Sequence, residues 1–320
     1  ATWEWYIKAC FIMLGNFYLE YLIYTQGPSL LNHGLLGFFM ALVGLAIQHD
    51  ANHGGVSPKG WVNQFWGYTQ DWIGGSALLW RHHHVLMHHA ETNVDGDDPD
   101  ITGDLIRFHE LTTWKGSHKY QAMYTWMLLP LLPLNWHFKE FFDLLNMSHM
   151  GRTISPMAKK DAQIAIGFRL VFFVRFYIAP LYLFPSLHTV ACQLLCLAIG
   201  GMYLGVNFII SHNYEGVKTV LKDSDRSKHV KKDWAYEQVE TSSTVGGRAL
   251  GFLHGGLNYQ IEHHLFPRIS HVHYHKLAPV VREWCKEHKL RYAYYPTLYS
   301  NVVSCYKYLD KMGTPSPQIG

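Results

Sequence analysis

Charge is scarce in this chain: only 16% of its 320 residues are Asp, Glu, Lys or Arg, against 48% apolar and 15% aromatic. That balance argues against a pair of soluble domains, and a net charge of +3 offers no case for a nucleic-acid partner. Cysteine is also sparse. Cys10, Cys192, Cys196, Cys285 and Cys305 form no CxxC pair, which excludes a disulfide frame or a thiolate zinc site and leaves five reduced, small apolar residues. The HExxH of zinc hydrolases and the paired ExxH of carboxylate-bridged helical bundles are both missing. There is no internal repeat, no low-complexity run and no evident cleavable signal, because the first apolar segment is long and continues into a second.

What is present is long apolar helix-forming sequence. Mean hydropathy is close to zero, yet windows of the roughly 20 residues that a bilayer core demands pick out four spans. They run from about Ile7 to Thr25, Leu30 to Gln48, Ile164 to Phe184 and Leu187 to Ile210. The short links Gln26–Ser29 and Pro185–Ser186 make them two hairpins, and neither link carries Lys or Arg. The positive-inside rule then puts both termini and the middle region in the cytosol. The expected fold is therefore an all-α membrane protein of four transmembrane helices in two hairpins, with a cytosolic helical cap formed by residues 49–163 and 211–320. Trp61–Leu79 and Tyr120–Leu145, aromatic but broken by Gly, Pro and charges, are expected to lie on the bilayer rather than cross it. Arg175 falls within the third span, where it must snorkel, be paired or mark a misplaced boundary. The last eight residues, from Gly313, are expected to form a loose tail.

Three histidine clusters stand beside these spans: His49-Asp50-Ala51-Asn52-His53, His84-Val85-Leu86-Met87-His88-His89 and Gln260-Ile261-Glu262-His263-His264. Residues three or four apart on a helix project from one face, so each cluster aims two or three side chains at a common point. The second span ends at Gln48 with His49 immediately following, and the fourth ends near Ser211 with His212 next, so both inward-running helices deliver a histidine to the same surface. Counting His49, His53, His84, His88, His89, His212, His263 and His264 gives eight imidazoles, with Gln260 as a ninth ligand. One metal ion cannot hold so many. Two ions with positions open to oxygen fit, and iron suits oxygen chemistry at a nitrogen-rich site. His82 and His83 are assigned a supporting or surface place, because only His84 has the interval to His88 and His89. His271, His273 and His275, spaced by two, are read as polar surface. Asp50 is the best placed of several carboxylates, with Asp97, Asp98, Asp100 and Glu262, to accept the second N–H of a ligand imidazole; a solvated turn is the competing reading of Asp97–Asp100. The basic run of Lys218, Lys222, Arg226, Lys228, Lys231 and Lys232 reads either as a solvated cytosolic loop or as an attractor of anionic headgroups or an acidic protein.

From His49 to about His275 the chain resembles the membrane fatty-acid desaturases, and within them the front-end group. The likeness is carried by HDANH, by WRHHHVLMHHAETN from Trp80 to Asn93, by DDPD at Asp97–Asp100, by QVETSS at Gln238–Ser243 and by GGLNYQIEHHLFP from Gly255 to Pro267. Gln260, where many other desaturases have histidine, singles out the front-end group. The resemblance implies a single desaturase domain over residues 1–320 that places a cis double bond between an existing one and the carboxyl end of a long polyunsaturated acyl chain. It implies two iron ions, O2 as co-substrate and electrons from NADH through cytochrome b5 reductase and cytochrome b5. It also implies an acyl-CoA or phospholipid-bound substrate, residence in the endoplasmic reticulum and a site facing the cytosol. The overall pattern is most similar to algal and protist delta-5 enzymes, with delta-4, delta-6 and delta-8 activities open. One departure is the missing HPGG haem motif of a fused cytochrome b5, which is expected upstream of Ala1 or as a separate protein. A sphingolipid desaturase or acyl hydroxylase on the same scaffold is the alternative. A histidine-rich metal transporter is a remote one, since its ligands would sit within the spans.

Overall fold

A computed structural model describes residues 1–220 and 233–315, and those residues are mostly helical. Their strands form two small two-stranded sheets: Ser148–His149 lies antiparallel to Arg152–Thr153, and Ser243–Val245 runs parallel to Ala293–Tyr295. The chain folds as two compact units, each assembled from three segments. The first holds Ala1–His82, Leu129–Val206 and Arg268–Val272; the second holds His83–Leu128, Asn207–Pro267 and His273–Gly320.

Among the described residues three helices are long and apolar enough to cross a membrane: Leu30–Asn52, Pro156–Leu183 and Leu187–His212. They coincide with the second, third and fourth expected spans; the second and fourth run on to Asn52 and His212, and the third starts earlier, at Pro156, and ends at Leu183. The first expected span also folds as one helix, Trp3–Gln26, but is not among those three. Its sequence explains why. Trp3, Ile7, Phe11, Leu14, Tyr18 and Tyr21, three or four residues apart, form an exposed apolar stripe, while the covered side includes Lys8 and Asn16. Such a helix can face lipid on one side and still fail an averaged hydropathy criterion.

Within the first unit, the turn after Trp3–Gln26 is made by Gly27, whose φ of 88° only glycine adopts without strain, and by Ser29, whose Oγ accepts from the Asn32 amide at 3.1 Å. Between the third and fourth long helices Ser186 does the same for Thr189 at 3.2 Å. The second and fourth helices cross at glycines. A Cβ on Gly37 would stand 2.2 Å from the Cys196 carbonyl oxygen, and one on Gly200 would stand 3.2 Å from the Gly37 carbonyl oxygen. Of the three options open for Arg175, the structure selects pairing: its guanidinium bonds the Glu20 carboxylate and the Trp72 carbonyl, and lies 3.8 Å over the Trp72 ring. The stretches expected at the bilayer surface break into short helices, including Gly60–Gly67, Thr69–Trp72 and Ala77–Trp80 in the first and Gln121–Leu128 and Glu140–Asn146 in the second.

The second unit is built on a pairing of distant segments. Helix Leu298–Gly313 packs on helix Gln121–Leu128 and on the turn Gly116–Tyr120 before it, where a Cβ on Gly313 would meet the His118 carbonyl oxygen at 2.6 Å. Arg107 is buried there and donates to four carbonyls, of Thr112 at 2.7 Å, Glu110 at 2.7 Å, Met312 at 2.9 Å and Thr314 at 3.1 Å. Gln121 adds a bond to the Leu309 carbonyl at 2.9 Å. A second core of Val239, Ile261, Val281 and Cys285 joins helices Trp234–Glu240, Gln260–Leu265 and Tyr274–Glu287. Lys218, first in the basic run, pairs with the Glu240 carboxylate. Lys222, Arg226, Lys228, Lys231 and Lys232 lie outside the described residues, as do the last five residues of the tail.

Candidate metal centre

The second unit gathers seven of the nine expected ligand side chains. His84, His88 and His89 come from a segment whose winding differs from the expected α-helix: Arg81–His88 is a wider π-type turn, and the His89 amide bonds the His84 carbonyl five residues back at 3.0 Å. Wider winding brings residues five apart into line. His84 and His89 accordingly meet with their Nε2 atoms 3.1 Å apart, while the His84 and His88 rings stack at 5.2 Å. Gln260, His263 and His264 lie on the buried short helix Gln260–Leu265, and His212 is the last residue of the fourth long helix. Their rings interleave: His89 stacks on His264 at 4.2 Å, and His212 sits 4.7 Å from His264 and 4.8 Å from His88.

Two groups of imidazole nitrogens, His88–His212–His264 and His89–His263–His264, each lie within 4.8 Å of one another. A third group joins His84 and His88 to Asp100. Four of these histidines also have an oxygen on the far ring nitrogen. The His88 Nδ1 lies 3.1 Å from both Asp98 carboxylate oxygens, His212 Nδ1 3.0 Å from the Thr241 carbonyl, His263 Nδ1 3.1 Å from the Tyr274 hydroxyl and His264 Nδ1 2.8 Å from the Gln238 amide oxygen. A proton on Nδ1 satisfies all four and leaves Nε2 as the donor atom toward the interior, the arrangement that metal-binding histidines adopt. Gln260 reaches His212 Nε2 through its amide nitrogen at 2.9 Å. Its buried amide oxygen meets no hydrogen-bond partner among the described residues. Neutral nitrogens facing one another with oxygen acceptors behind them suit divalent iron, copper or zinc. Burial opposes protonation of His88, but Asp98 and Asp100 outweigh it and push the imidazole up to about 9; a divalent ion at Nε2 would take the place of that proton.

The first unit holds His49 and His53 at the end of the second long helix. Their rings are 4.8 Å apart, and Trp80 packs against both at 5.4 and 5.3 Å. Both are buried.

The surrounding carboxylates correct several expectations. Asp98 is the member of Asp97–Asp100 that is fully buried; besides His88 it accepts from the Asn93 amide at 2.7 Å, so it is no solvated turn residue. Asp100 bonds His83 at 2.6 Å, which gives His83 a supporting place and raises its basicity against the effect of burial. Glu262 turns away from the histidines and accepts from Tyr292 at 2.7 Å and Thr244 at 2.9 Å, because neighbours on a helix point about 100° apart. Asp50 likewise serves the loop at Ser270–His271 rather than a ligand imidazole. That loop overturns the surface reading of His271, which is buried and bonded to Asp50; His273 and His275 are half-buried. Sequence reasoning also missed Gln238, Thr241 and Tyr274 as partners of the expected ligand histidines. Gln238 and Thr241 both lie in the QVETSS segment and so had a signal, although Thr241 acts through its backbone carbonyl, which residue type does not reveal.

Buried imidazoles clustered at the ends of helices able to cross a membrane place the chain in a histidine-rich class with side chains that could hold metal ions. Comparison with known proteins narrows the class. The fatty acid desaturase family profile matches residues 28–296. The chain is 38% identical over 312 residues to an acyl-lipid (7-3)-desaturase of Diacronema lutheri, covering 97% of this chain and 70% of that one. It is 40% identical over 318 residues to an acyl-lipid (7-3)-desaturase of Rebecca salina, covering 98% and 70%. It is also 33% identical over 283 residues to an sn-1 linoleoyl-lipid 6-desaturase of Arthrospira platensis, covering 87% and 76%. The chain belongs to the fatty acid desaturase family, and that family makes it an oxidoreductase.

Proposed function

We propose that this protein is a front-end acyl-lipid desaturase, with the observation that carries the reading being the inward-facing, outward-bonded histidines of the second unit. The nine residues His49, His53, His84, His88, His89, His212, Gln260, His263 and His264 are its proposed ligands for two iron ions. When bound, the iron would supply the oxygen chemistry that removes two hydrogens from adjacent methylenes, with O2, two electrons and two protons consumed and two waters formed. The protein's part is to fix the tautomer and the orientation of the proposed ligand rings. Asp98, Thr241, Gln238 and Tyr274 do this by occupying the far nitrogens. Burial of the ligand side chains keeps bulk water away from the reaction.

Under this reading four helices span the bilayer, Trp3–Gln26 being the fourth by virtue of its exposed apolar stripe, and residues 1–320 act as one desaturase domain with the site facing the cytosol of an endoplasmic reticulum membrane. Cytochrome b5, reduced from NADH through its reductase, is the proposed electron donor. The substrate is an acyl chain carried on a lipid, in keeping with the names of the relatives. Those names point to the (7-3) position, and the delta-5 position expected from the sequence is a competing outcome of the same test.

The test is expression in yeast with a panel of polyunsaturated acids and mass-spectrometric location of new double bonds. A new bond on the carboxyl side of an existing one, absent from His263→Ala, is the expected result. A hydroxylated product, or no product despite bound iron and a working electron donor, would replace this reading with a hydroxylase or a sphingolipid enzyme.

A further inference from the structure

In the first unit, a buried chain of charged and polar groups runs from Lys8 to the first histidine box. The Lys8 Nζ is 3.0 Å from His271 Nε2, and His271 Nδ1 is 2.9 Å from Asp50 Oδ2. The same carboxylate oxygen accepts from the His271 backbone amide at 3.0 Å and from Ser270 Oγ at 2.8 Å. Asp50, His271 and Lys8 are 2, 5 and 7% exposed, so this is an interior network and not a surface cluster. Its polarity follows from donor chemistry. An ammonium only donates, so the His271 Nε2 must accept; the ring proton is then on Nδ1 and points at Asp50. A neutral imidazole thus bridges a buried cation and a buried anion, an arrangement that is costly to break from either end.

Asp50 lies between the two histidines of the box on the short turn His49–Asn52. Adjacent helical residues point about 100° apart, so a carboxylate fixed at Asp50 sets the rotation of the turn about its own axis and with it the direction of His49 and His53. Asn52 is fixed as well. Its Nδ2 donates to Gln48 Oε1 at 2.8 Å, and its Oδ1 accepts from Arg81 Nη1 at 3.0 Å. The residues between the histidines of HDANH are therefore held from other sides of the turn.

We propose that His271, with Ser270, is a positioning residue for the first histidine box and acts through Asp50 to hold His49 and His53 in ligating orientation. The proposal rests on the reading of His49 and His53 as metal ligands. It assigns a task to the sequence just beyond the third box, Arg268–Val272, which belongs to the first unit.

The experiment uses the full chain purified in detergent, loaded with ferrous iron and challenged with a competing chelator. Retained iron is measured by mass spectrometry, and the visible and Mössbauer signatures are recorded beside a thermal melt. His271→Leu is expected to weaken iron retention by about 10- to 100-fold, the scale of an outer partner lost from a metal site. His271→Asn, whose amide nitrogen stands where Nδ1 stood, restores most of that loss although it gives up Lys8. Ser270→Ala removes one of three bonds to the carboxylate and gives a smaller loss in the same direction.

Wild-type iron retention in folded His271→Leu, or no rescue by His271→Asn, overturns the proposal. If His271→Leu does not fold, Ser270→Ala decides: unchanged iron retention there overturns it. His49→Ala separates the two readings. Unchanged iron content in that variant removes the ligand assignment itself, whereas reduced content in His49→Ala with none lost in His271→Leu removes only the positioning role.

Discussion

At the scale of single residues, Asp71 shows how far burial can move a charge balance. It is almost wholly covered in the first unit; one carboxyl oxygen accepts from the Ala77 amide at 3.1 Å, and the other has no hydrogen-bond partner among the described residues. Burial raises the acid to about 7, and the Ala77 amide, Arg169 and Arg81 only partly offset it. The folded protein therefore keeps a proton that the unfolded chain releases near pH 4, and folding stability falls as pH climbs from about 4 to about 7 and is flat above that. Asp71→Asn retains the acceptor for Ala77 and has nothing to release. Its stability in detergent is expected to match wild type near pH 4 and to exceed it at pH 8 by on the order of a few kcal/mol, read as a higher melting temperature. Parallel melting curves at all pH values would show that Asp71 is not protonated in the fold. Such differences were not legible in the sequence. Asp97, Asp98 and Asp100 look equivalent in a run of four residues, and only the folded loop turns Asp98 onto His88. His271 belonged to an alternation that reads as surface because its partners, Asp50 and Lys8, are 221 and 263 residues away.

Among the elements, the long helices were legible because burial in lipid and burial in protein both demand sustained apolar sequence. The one that fell short, Trp3–Gln26, did so because Lys8, Asn16 and Glu20, together with its tyrosines, dilute a sequence that is apolar on both faces. The winding of the second box was not legible: an interval of four suits an α-turn, but the segment is a π-type turn and His84 meets His89. A one-residue change of helical phase leaves no trace in residue type. The glycines were equally silent. Gly37→Val would drive a branched side chain into the Cys196 carbonyl, so the second and fourth helices must separate. Overpacking of this kind costs about 1–3 kcal/mol or more. The expected result is a clearly lower melting temperature, while Gly167→Val, at a glycine with open space around its Cβ, serves as the control for helix propensity alone. An unchanged melt for Gly37→Val would mean that the two helices do not pack at that crossing.

For the whole molecule, the chain passes between its two units at 82/83, 128/129, 206/207, 267/268 and 272/273, five times in all. The second unit depends on this. Helix Leu298–Gly313 has its partners in Arg107 and Gln121, roughly two hundred residues earlier. A fragment of residues 207–320, expressed alone in yeast membranes, is expected to be degraded, since it lacks both. Accumulation of that fragment with native-like protease resistance would show that the pairing is dispensable. The proposed ligand residues are distributed in the same way: His49 and His53 belong to one unit, and His84, His88, His89, His212, Gln260, His263 and His264 to the other. Neither unit is a stretch of gene that recombination can lift out and graft elsewhere. A lineage carrying this architecture cannot trade one half with a relative at a single crossover and keep either half intact.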